Sequence, residues 1–260
     1  MKGLYLIPDR MNLEESLQLL KTYQGAYEYN DFFLPDVLDD KKRQLEIIEF
    51  YAKMRNDFSK DTMHGAFLDV TPHSTDRRIR EISELRVRQS MDIAKEMGLR
   101  GVVFHTNRIY GFRDAAYLKN WKETNKAFFA DICNTYWNQQ IFIENMFDEA
   151  PDVLRELAEE MTEYNNFGVC LDYAHAAISG TKAEVWMKEL APFVKHMHIN
   201  DNDLKNDLHE AVGTGKIDWK TFQQEIETNQ MDTTVLVEVS GINKQKKSLE
   251  YMMENHIYLV

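Results

Sequence analysis

Short apolar runs alternate with longer amphipathic stretches along the whole chain. Runs of a few apolar residues bounded by polar or turn residues read as buried strands, and the stretches between them carry helical spacing. The first strand is Leu4 to Ile7. A helix follows from about Leu13, with Asn12 as N-cap and Glu15 three residues on, a variant of the capping box. The second strand is Gly25-Ala26-Tyr27-Glu28-Tyr29, followed by a helix from about Asp40 to Arg55. The third strand is weaker in pattern and ends near Met63-His64. Asp76 then caps a long helix through Glu96, and Gly98 stops it. The fourth strand is Gly101-Val102-Val103-Phe104-His105, and the helix after it is rich in aromatics. The fifth is Ile141-Phe142-Ile143-Glu144, with a helix starting near Pro151, a good first-turn residue. The sixth runs from Gly168 to Asp172, the seventh is Val194-Lys195-His196-Met197-His198-Ile199, and the eighth is Val235-Leu236-Val237-Glu238.

Strand and helix patterns in strict alternation predict a parallel sheet covered by helices. Eight such units across 260 residues fit one (β/α)8 TIM barrel. No linker, low-complexity segment or further repeat divides the chain, so a single domain over residues 1–260 is expected.

Composition narrows the class. Hydrophobic residues make up 43% and charged residues 28%, as in a globular protein with a sizeable core. The net charge of -12 argues against a broad nucleic-acid surface, which usually shows a basic patch. Two cysteines, Cys133 and Cys170, make no disulfide framework, and a reducing compartment is the default. Cys170 lies in the apolar run Phe167-Gly168-Val169-Cys170-Leu171 and reads as core packing. The opening run ending at Ile7 is too short for a signal peptide, and no stretch approaches the ~18 apolar residues of a membrane span. A cytoplasmic protein without a membrane partner is expected.

The chemistry gathers at strand ends. The third strand ends in His64, the fourth in His105, the fifth in Glu144, the sixth in Asp172, the seventh in His198 and the eighth in Glu238. In a TIM barrel these C-terminal ends ring one mouth. Asp172-Tyr173-Ala174-His175 places a histidine three residues after a carboxylate, and Asp207-Leu208-His209 follows the seventh strand. Imidazole and carboxylate together suit zinc, manganese or ferrous iron. Carboxylates crowded in one mouth would also repel one another unless cations neutralised them. A single histidine at a strand end is more often a hydrogen-bonded core residue, and a single acid more often a loop cap. Repetition on consecutive strands reverses that weighting for the set. His196 shares face parity with His198 and reads as a structural or supporting residue deeper in the barrel, while His73 and His256 read as ordinary polar residues. Glu28, Asn107 and Arg108 are candidate substrate contacts. Arg108, Arg113 and Lys216 could meet phosphate or hydroxyl groups, or simply be solvated surface charges.

These residues carry a resemblance. The chain is similar over nearly its whole length to the xylose isomerase-like TIM-barrel superfamily, which joins endonuclease IV to sugar and sugar-phosphate isomerases and epimerases. The stretches that carry it are His64-Gly65-Ala66-Phe67-Leu68, Val102-Val103-Phe104-His105, Ile143-Glu144-Asn145, Leu171-Asp172-Tyr173-Ala174-His175, His198-Ile199-Asn200-Asp201, Asp207-Leu208-His209, Gly213-Thr214-Gly215 and Val237-Glu238, in that order. By resemblance to the endonuclease branch, His64, His105 and Glu144 would hold one divalent ion. Glu144 would bridge to a second on Asp172, His198 and Glu238, and His175, Asp207 and His209 would hold a third. The isomerase branch implies a single ion on Glu144, Asp172, His198 and Glu238, with Glu144 and Glu238 handling the proton chemistry. One to three ions, zinc or manganese, are therefore expected. The chain departs from endonuclease IV in lacking the early histidine on the first strand. After the second strand it reads Glu28-Tyr29-Asn30-Asp31-Phe32-Phe33-Leu34-Pro35 in place of a basic DNA loop. Leu208 stands where the endonuclease pattern has arginine, and Thr106-Asn107-Arg108 where it has a Pro-Gly turn.

The resemblance thus implies a metal-dependent isomerase or epimerase acting on a small-molecule sugar or sugar phosphate. The alternative is an endonuclease IV-like phosphodiesterase with three ions, and a third class is a non-catalytic sugar-binding barrel. Nucleic acid is not the expected partner, and the oligomeric state is left open.

Overall fold

Period-two alternation along the strands sends one set of side chains into the barrel and the other toward the helices. In the computed structural model, which describes residues 3–258, the strands are β1 (Leu4–Leu6), β2 (Ala26–Tyr29), β3 (Thr62–His64), β4 (Gly101–His105), β5 (Gln140–Glu144), β6 (Phe167–Asp172), β7 (Val194–Ile199) and β8 (Thr234–Val237). They pair in sequence order as a closed parallel barrel, with β1 returning to β8 through Leu4 opposite Val235 and Leu6 opposite Val237. The expected (β/α)8 barrel is the observed fold. Residues 1–2 and 259–260 of the expected span lie outside the described residues.

The outward set, including Leu6, Tyr29, Met63, Phe104, Ile143, Leu171, Ile199 and Val237, is buried against the helices as the main hydrophobic core. Inside the barrel, Tyr5, Ala26 and Leu236 form one apolar cluster and Val103, Phe142 and Cys170 another. Cys170 is core, as read from its apolar run. One alternation further along each strand, the interior turns polar: Glu28, Thr62, Glu144, Asp172, His196 and His198 are all buried. The barrel is thus sealed by apolar side chains below and filled by ionisable ones toward the mouth.

The helices are α1 (Leu13–Tyr23), α2 (Pro35–Leu38), α3 (Lys41–Ala52), α4 (Arg77–Met97), α5 (Ala115–Thr135), α6 (Asp152–Glu160), α7 (Tyr173–Ile178), α8 (Ala183–Leu190), α9 (Trp219–Thr228) and α10 (Ile242–Glu254). Asp76 caps α4 by accepting from Arg78 N, and Gly98 ends it in the left-handed conformation at φ 70°. The start of α1 differs from expectation. Asn12 makes no side-chain cap; Asp9 instead accepts from the amides of Met11 and Asn12, capping a 3-10 turn that leads into the helix. Asp9 also accepts from Ile242 N at 2.9 Å, tying this entry to the start of α10. A carboxylate that serves two elements fixes the loop more firmly than the local Asn12–Glu15 pattern could. Pro151 stands just before α6 rather than in its first turn. No described helix is long and apolar enough to cross a membrane.

Candidate metal centre

The strand-end residues converge. His64, His105 and Glu144 form one group whose nitrogen and oxygen atoms lie within 4.8 Å of one another; Glu144, Asp172, His198 and Glu238 form a second, and His175, Asp207 and His209 a third. Glu144 belongs to the first two, with Oε2 3.2 Å from His105 Nε2 and Oε1 3.1 Å from His198 Nδ1. Asp207 Oδ2 lies 3.3 Å from His175 Nε2 and 3.2 Å from His209 Nε2. Every position expected to hold a metal is brought into this one mouth.

Short-range structure explains the spacings. Asp172 caps α7 by accepting from His175 N at 2.6 Å, so the three-residue offset swings the imidazole back over the strand end. Asn145 holds Asp172 in turn, donating to its carbonyl and accepting from its amide, each at 2.9 Å. His209 takes φ 47°, which turns its ring toward Asp207 and Glu238.

The tautomers are set from outside the cluster. Nδ1 of His64 donates to Gly65 O at 2.9 Å, Nδ1 of His175 to Asn145 O at 2.9 Å, and Nδ1 of His209 to Glu238 O at 3.0 Å. A carbonyl can only accept, so each of these rings, once neutral, offers its Nε2 lone pair to the cluster. Several buried polar atoms find no protein partner: Glu144 Oε2, Asp172 Oδ2, Asp207 Oδ1 and Glu238 Oε2. Unsatisfied buried carboxylate oxygens are costly unless a cation meets them. Imidazole lone pairs and orphaned carboxylate oxygens together fit a divalent ion, and zinc or manganese suits this mixture.

The protonation balance agrees. Burial, reinforced by Glu238 and Glu144, raises the Asp172 carboxyl well above the usual range. Burial also opposes ionisation of Glu144, but His198 and His105 more than offset it and hold this carboxyl below its ordinary value. Burial disfavours the His209 imidazolium, yet Asp207 and Glu238 outweigh it and lift the pKa to about 10. Negative charge in the mouth is therefore neutralised by protons when no cation is present, and those protons must leave when one binds.

The remaining candidates sit elsewhere. Glu28 lies beneath the cluster with no solvent exposure, where Thr62 Oγ1 donates to it at 2.7 Å. Asn107 Nδ2 donates to the carbonyls of Phe67 and Val70, stitching the loop after β4 to the loop after β3. The Arg108 side chain is only 2% exposed and pairs with Asp148 at 2.7 Å and Glu149 at 2.6 Å. It braces loops instead of presenting a free charge. Arg113 pairs with Asp152 at 2.5 Å, and Lys216 is exposed. His196 is buried beneath His198, His73 is buried in a loop among Tyr117, Trp121 and Asn125, and His256 is exposed.

The walls of the mouth are aromatic. Phe67 packs on His64 and His105 at ring separations of 5.2 and 5.0 Å, and Phe147 on His175 at 5.6 Å. Asn200, two residues beyond His198, is buried with both amide atoms unpartnered. The period-two continuation of β7 is the signal that would have placed it with the inward set.

The chain is similar to several known proteins. The uncharacterized protein MJ1311 of Methanocaldococcus jannaschii is 23% identical over 80% of this chain and 74% of its own length. A protein named "Probable endonuclease 4" from Persephonella marina is 24% identical over 70% of this chain and 71% of its own. Among solved structures, the TTHB071 protein from Thermus thermophilus, soaked with zinc chloride, superimposes with a TM-score of 0.76 at 21% identity and covers 97% of both chains. A D-tagatose 3-epimerase-like protein gives 0.75 at 20% identity over 96% of both. At these identities the structural likeness carries the fold. The model of the xylose isomerase-like TIM barrel family matches residues 28–255, and the chain belongs to that family.

Proposed function

We propose that this protein is a divalent-metal-dependent epimerase or isomerase of a small sugar or sugar phosphate. The observation that carries the reading is the pairing of Glu144 and Glu238 in one four-residue group with Asp172 and His198. Leu68, Ile109, Tyr110 and Phe147 are exposed around it, while Arg108 and Arg113 are already paired with carboxylates. Such a rim suits a compact ligand better than a phosphate backbone, which demands free Lys and Arg. The D-tagatose 3-epimerase-like neighbour supports the same class.

A divalent ion on Glu144, Asp172, His198 and Glu238 would supply Lewis-acid polarisation of the substrate carbonyl and offset the enediolate charge. Glu144, kept ionised by His198 and His105, is suited to take the proton from the carbon beside that carbonyl. Glu238 returns a proton to the opposite face or the adjacent carbon, and the roles exchange in the reverse direction. The aromatic rings of Phe67 and Phe147 offer flat apolar surfaces for the carbon side of a sugar. Proton acid–base catalysis of this kind contributes roughly 10²–10⁴-fold. The test is exchange of substrate C–H with solvent deuterium, screened by NMR over ketoses and their phosphates. Exchange that needs added Mn²⁺ or Zn²⁺ and disappears in Glu144→Gln and Glu238→Gln supports the reading; no exchange with any of them removes it.

A second reading rests on a specific observation as well. The His64–His105–Glu144 and His175–Asp207–His209 groups exceed what one ion needs, and clustered ions suit phosphodiester hydrolysis. The "Probable endonuclease 4" relative points the same way. Metal-dependent nicking of an abasic-site duplex, lost in Glu144→Ala, would establish this reading in place of the first.

A further inference from the structure

Under the ligand ring, Glu28 is fully enclosed between two imidazoles. Its Oε1 lies 2.9 Å from His198 Nε2, and its Oε2 lies 3.2 Å from His196 Nε2 and 2.7 Å from the Thr62 hydroxyl. The His contacts are short without being well-aligned hydrogen bonds, since these atoms lack an ideal partner. Beyond His196, Nδ1 stands 2.6 Å from Thr234 Oγ1, which receives a hydrogen bond from Arg100 Nη1 at 3.3 Å and marks the far end of the barrel.

The donors along this line can be ordered. A carboxylate only accepts, so each ring nitrogen that faces Glu28 carries a proton; a lone pair there would meet a negative oxygen at close range. Arg100 donates to Thr234, whose hydroxyl lies 2.6 Å from His196 Nδ1 and 3.2 Å from Lys195 O, and His196 Nε2–H faces Glu28. From the other side His198 Nε2–H faces Glu28. His198 is thereby the reverse of His64, His175 and His209. Its Nδ1, not its Nε2, points at the cluster, 3.1 Å from Glu144 and 3.6 Å from Glu238. No backbone carbonyl fixes this ring as one fixes the others.

We propose that Glu28 is a positioning residue. It retains the His198 proton on Nε2, so that Nδ1 is the nitrogen yielded to a divalent ion shared with Glu144, Asp172 and Glu238. This rests on the metal reading above and adds a residue that touches neither ion nor substrate. It also replaces the expectation that Glu28 contacts substrate.

Glu28→Gln separates this role from packing, because it keeps size and shape. The amide oxygen must turn toward the two donors, Thr62 and His196, which leaves the NH₂ against His198 Nε2. That ring must then accept at Nε2 and carry its proton on Nδ1, the wrong nitrogen for the cluster. Partners that orient a metal-ligating imidazole are typically worth about 10- to 100-fold in affinity. The measurements are zinc affinity by chelator competition, ion count by mass spectrometry, and long-range ¹H–¹⁵N spectra of ¹⁵N-histidine protein. The expected result is one ion weakened about 10- to 100-fold, the Asp207 group unaffected, and a His198 proton on Nε2 in zinc-loaded wild type that moves to Nδ1 in the variant. Unchanged zinc affinity and unchanged tautomer in Glu28→Gln overturn the proposal. So does an extra ion in wild type that vanishes in the variant, since Glu28 would then be a ligand. The wild-type tautomer stands as the test should the variant not fold: a proton on Nδ1 in the zinc-loaded protein is also fatal. A wild type that takes up no zinc at all is a separate result, and removes the metal reading on which this role depends.

Discussion

Glu144 and His198 meet at the centre of the mouth, Oε1 to Nδ1 at 3.1 Å, while the second oxygen of the same carboxylate faces His105 Nε2 at 3.2 Å. Glu144 is therefore the hinge between two ligand groups that lie on different strands. Asp207, by contrast, serves only the group it forms with His175 and His209. Ion counts should expose the difference. If zinc fills all three groups, Glu144→Ala should cost two ions and Asp207→Ala only one, when zinc-reconstituted protein is counted by mass spectrometry after gel filtration. Equal losses in the two variants would contradict a shared carboxylate.

Zinc should also stabilise the fold. Glu144, Asp172 and Glu238 are buried together, with orphaned oxygens that a cation would satisfy. Binding to the folded state alone is worth about 2.7 kcal/mol at a free concentration of 100 Kd. For a chain of this size that corresponds to a rise in Tm of roughly 5–10 °C. The thermal midpoint in EDTA, then with zinc restored, measures it, and Glu144→Ala should lose most of the increment.

Much of this centre was legible in the sequence because a barrel converts period-two alternation into convergence. Once His105, Glu144, Asp172 and His198 are placed at strand ends, the fold brings them together without further information. The loops were less legible. Nothing local distinguishes Arg108 from a solvated cation; its burial follows from Asp148 and Glu149, which lie 40 and 41 positions further along the chain. Glu28 looked like a mouth residue because it sits in an acidic and aromatic run. Its side chain instead turns into the barrel interior, fully buried against His196 and His198, which lie on β7 and are far away in the sequence. Asn12 failed as a cap for the same kind of reason: Asp9 gains Ile242 N as a distant partner.

The Gly213-Thr214-Gly215 stretch acts through Asp201, not through the metal centre. Asp201 Oδ1 accepts from Asn202 N at 2.9 Å and Ile217 N at 3.1 Å, and Oδ2 from Gly213 N at 2.9 Å and Trp219 Nε1 at 2.9 Å. A side chain on Gly215 would press a Cβ to 2.3 Å from Asn202 O and Asp201 Oδ1, so the loop closes on the carboxylate only with glycine there. Asp201→Asn keeps the shape but sets an NH₂ against two N–H donors. Losing a charged acceptor and leaving buried donors unmet costs about 3 kcal/mol or more. Urea unfolding should show that loss. The backbone pair between Asp201 and Glu210 should loosen with it, carrying His209 away from Asp207 and weakening that ion in turn.

Acid should destabilise the protein through a histidine outside the centre. His73 is 5% exposed, with Tyr117 and Trp121 around its ring and Asn125 Nδ2 3.4 Å from Nδ1. Burial disfavours its imidazolium and lowers the pKa from 6.5 to about 4. The folded pKa is depressed, so the unfolded chain takes up the proton first as pH falls. The neutral ring's contribution is complete above pH 6.5 and is lost progressively until the pH passes through about 4. Between pH 7 and 4.5 that amounts to about 2–3 kcal/mol, because each pH step between the two pKa values is worth roughly 1.4 kcal/mol. His73→Phe keeps an aromatic ring in the same surroundings and has no proton to gain. Urea midpoints in EDTA at both pH values, for wild type and variant, isolate the contribution from the carboxylates and histidines of the mouth. Wild type should lose about 2–3 kcal/mol more than the variant on acidification by that linkage, whereas parallel losses would mean that His73 charges without cost.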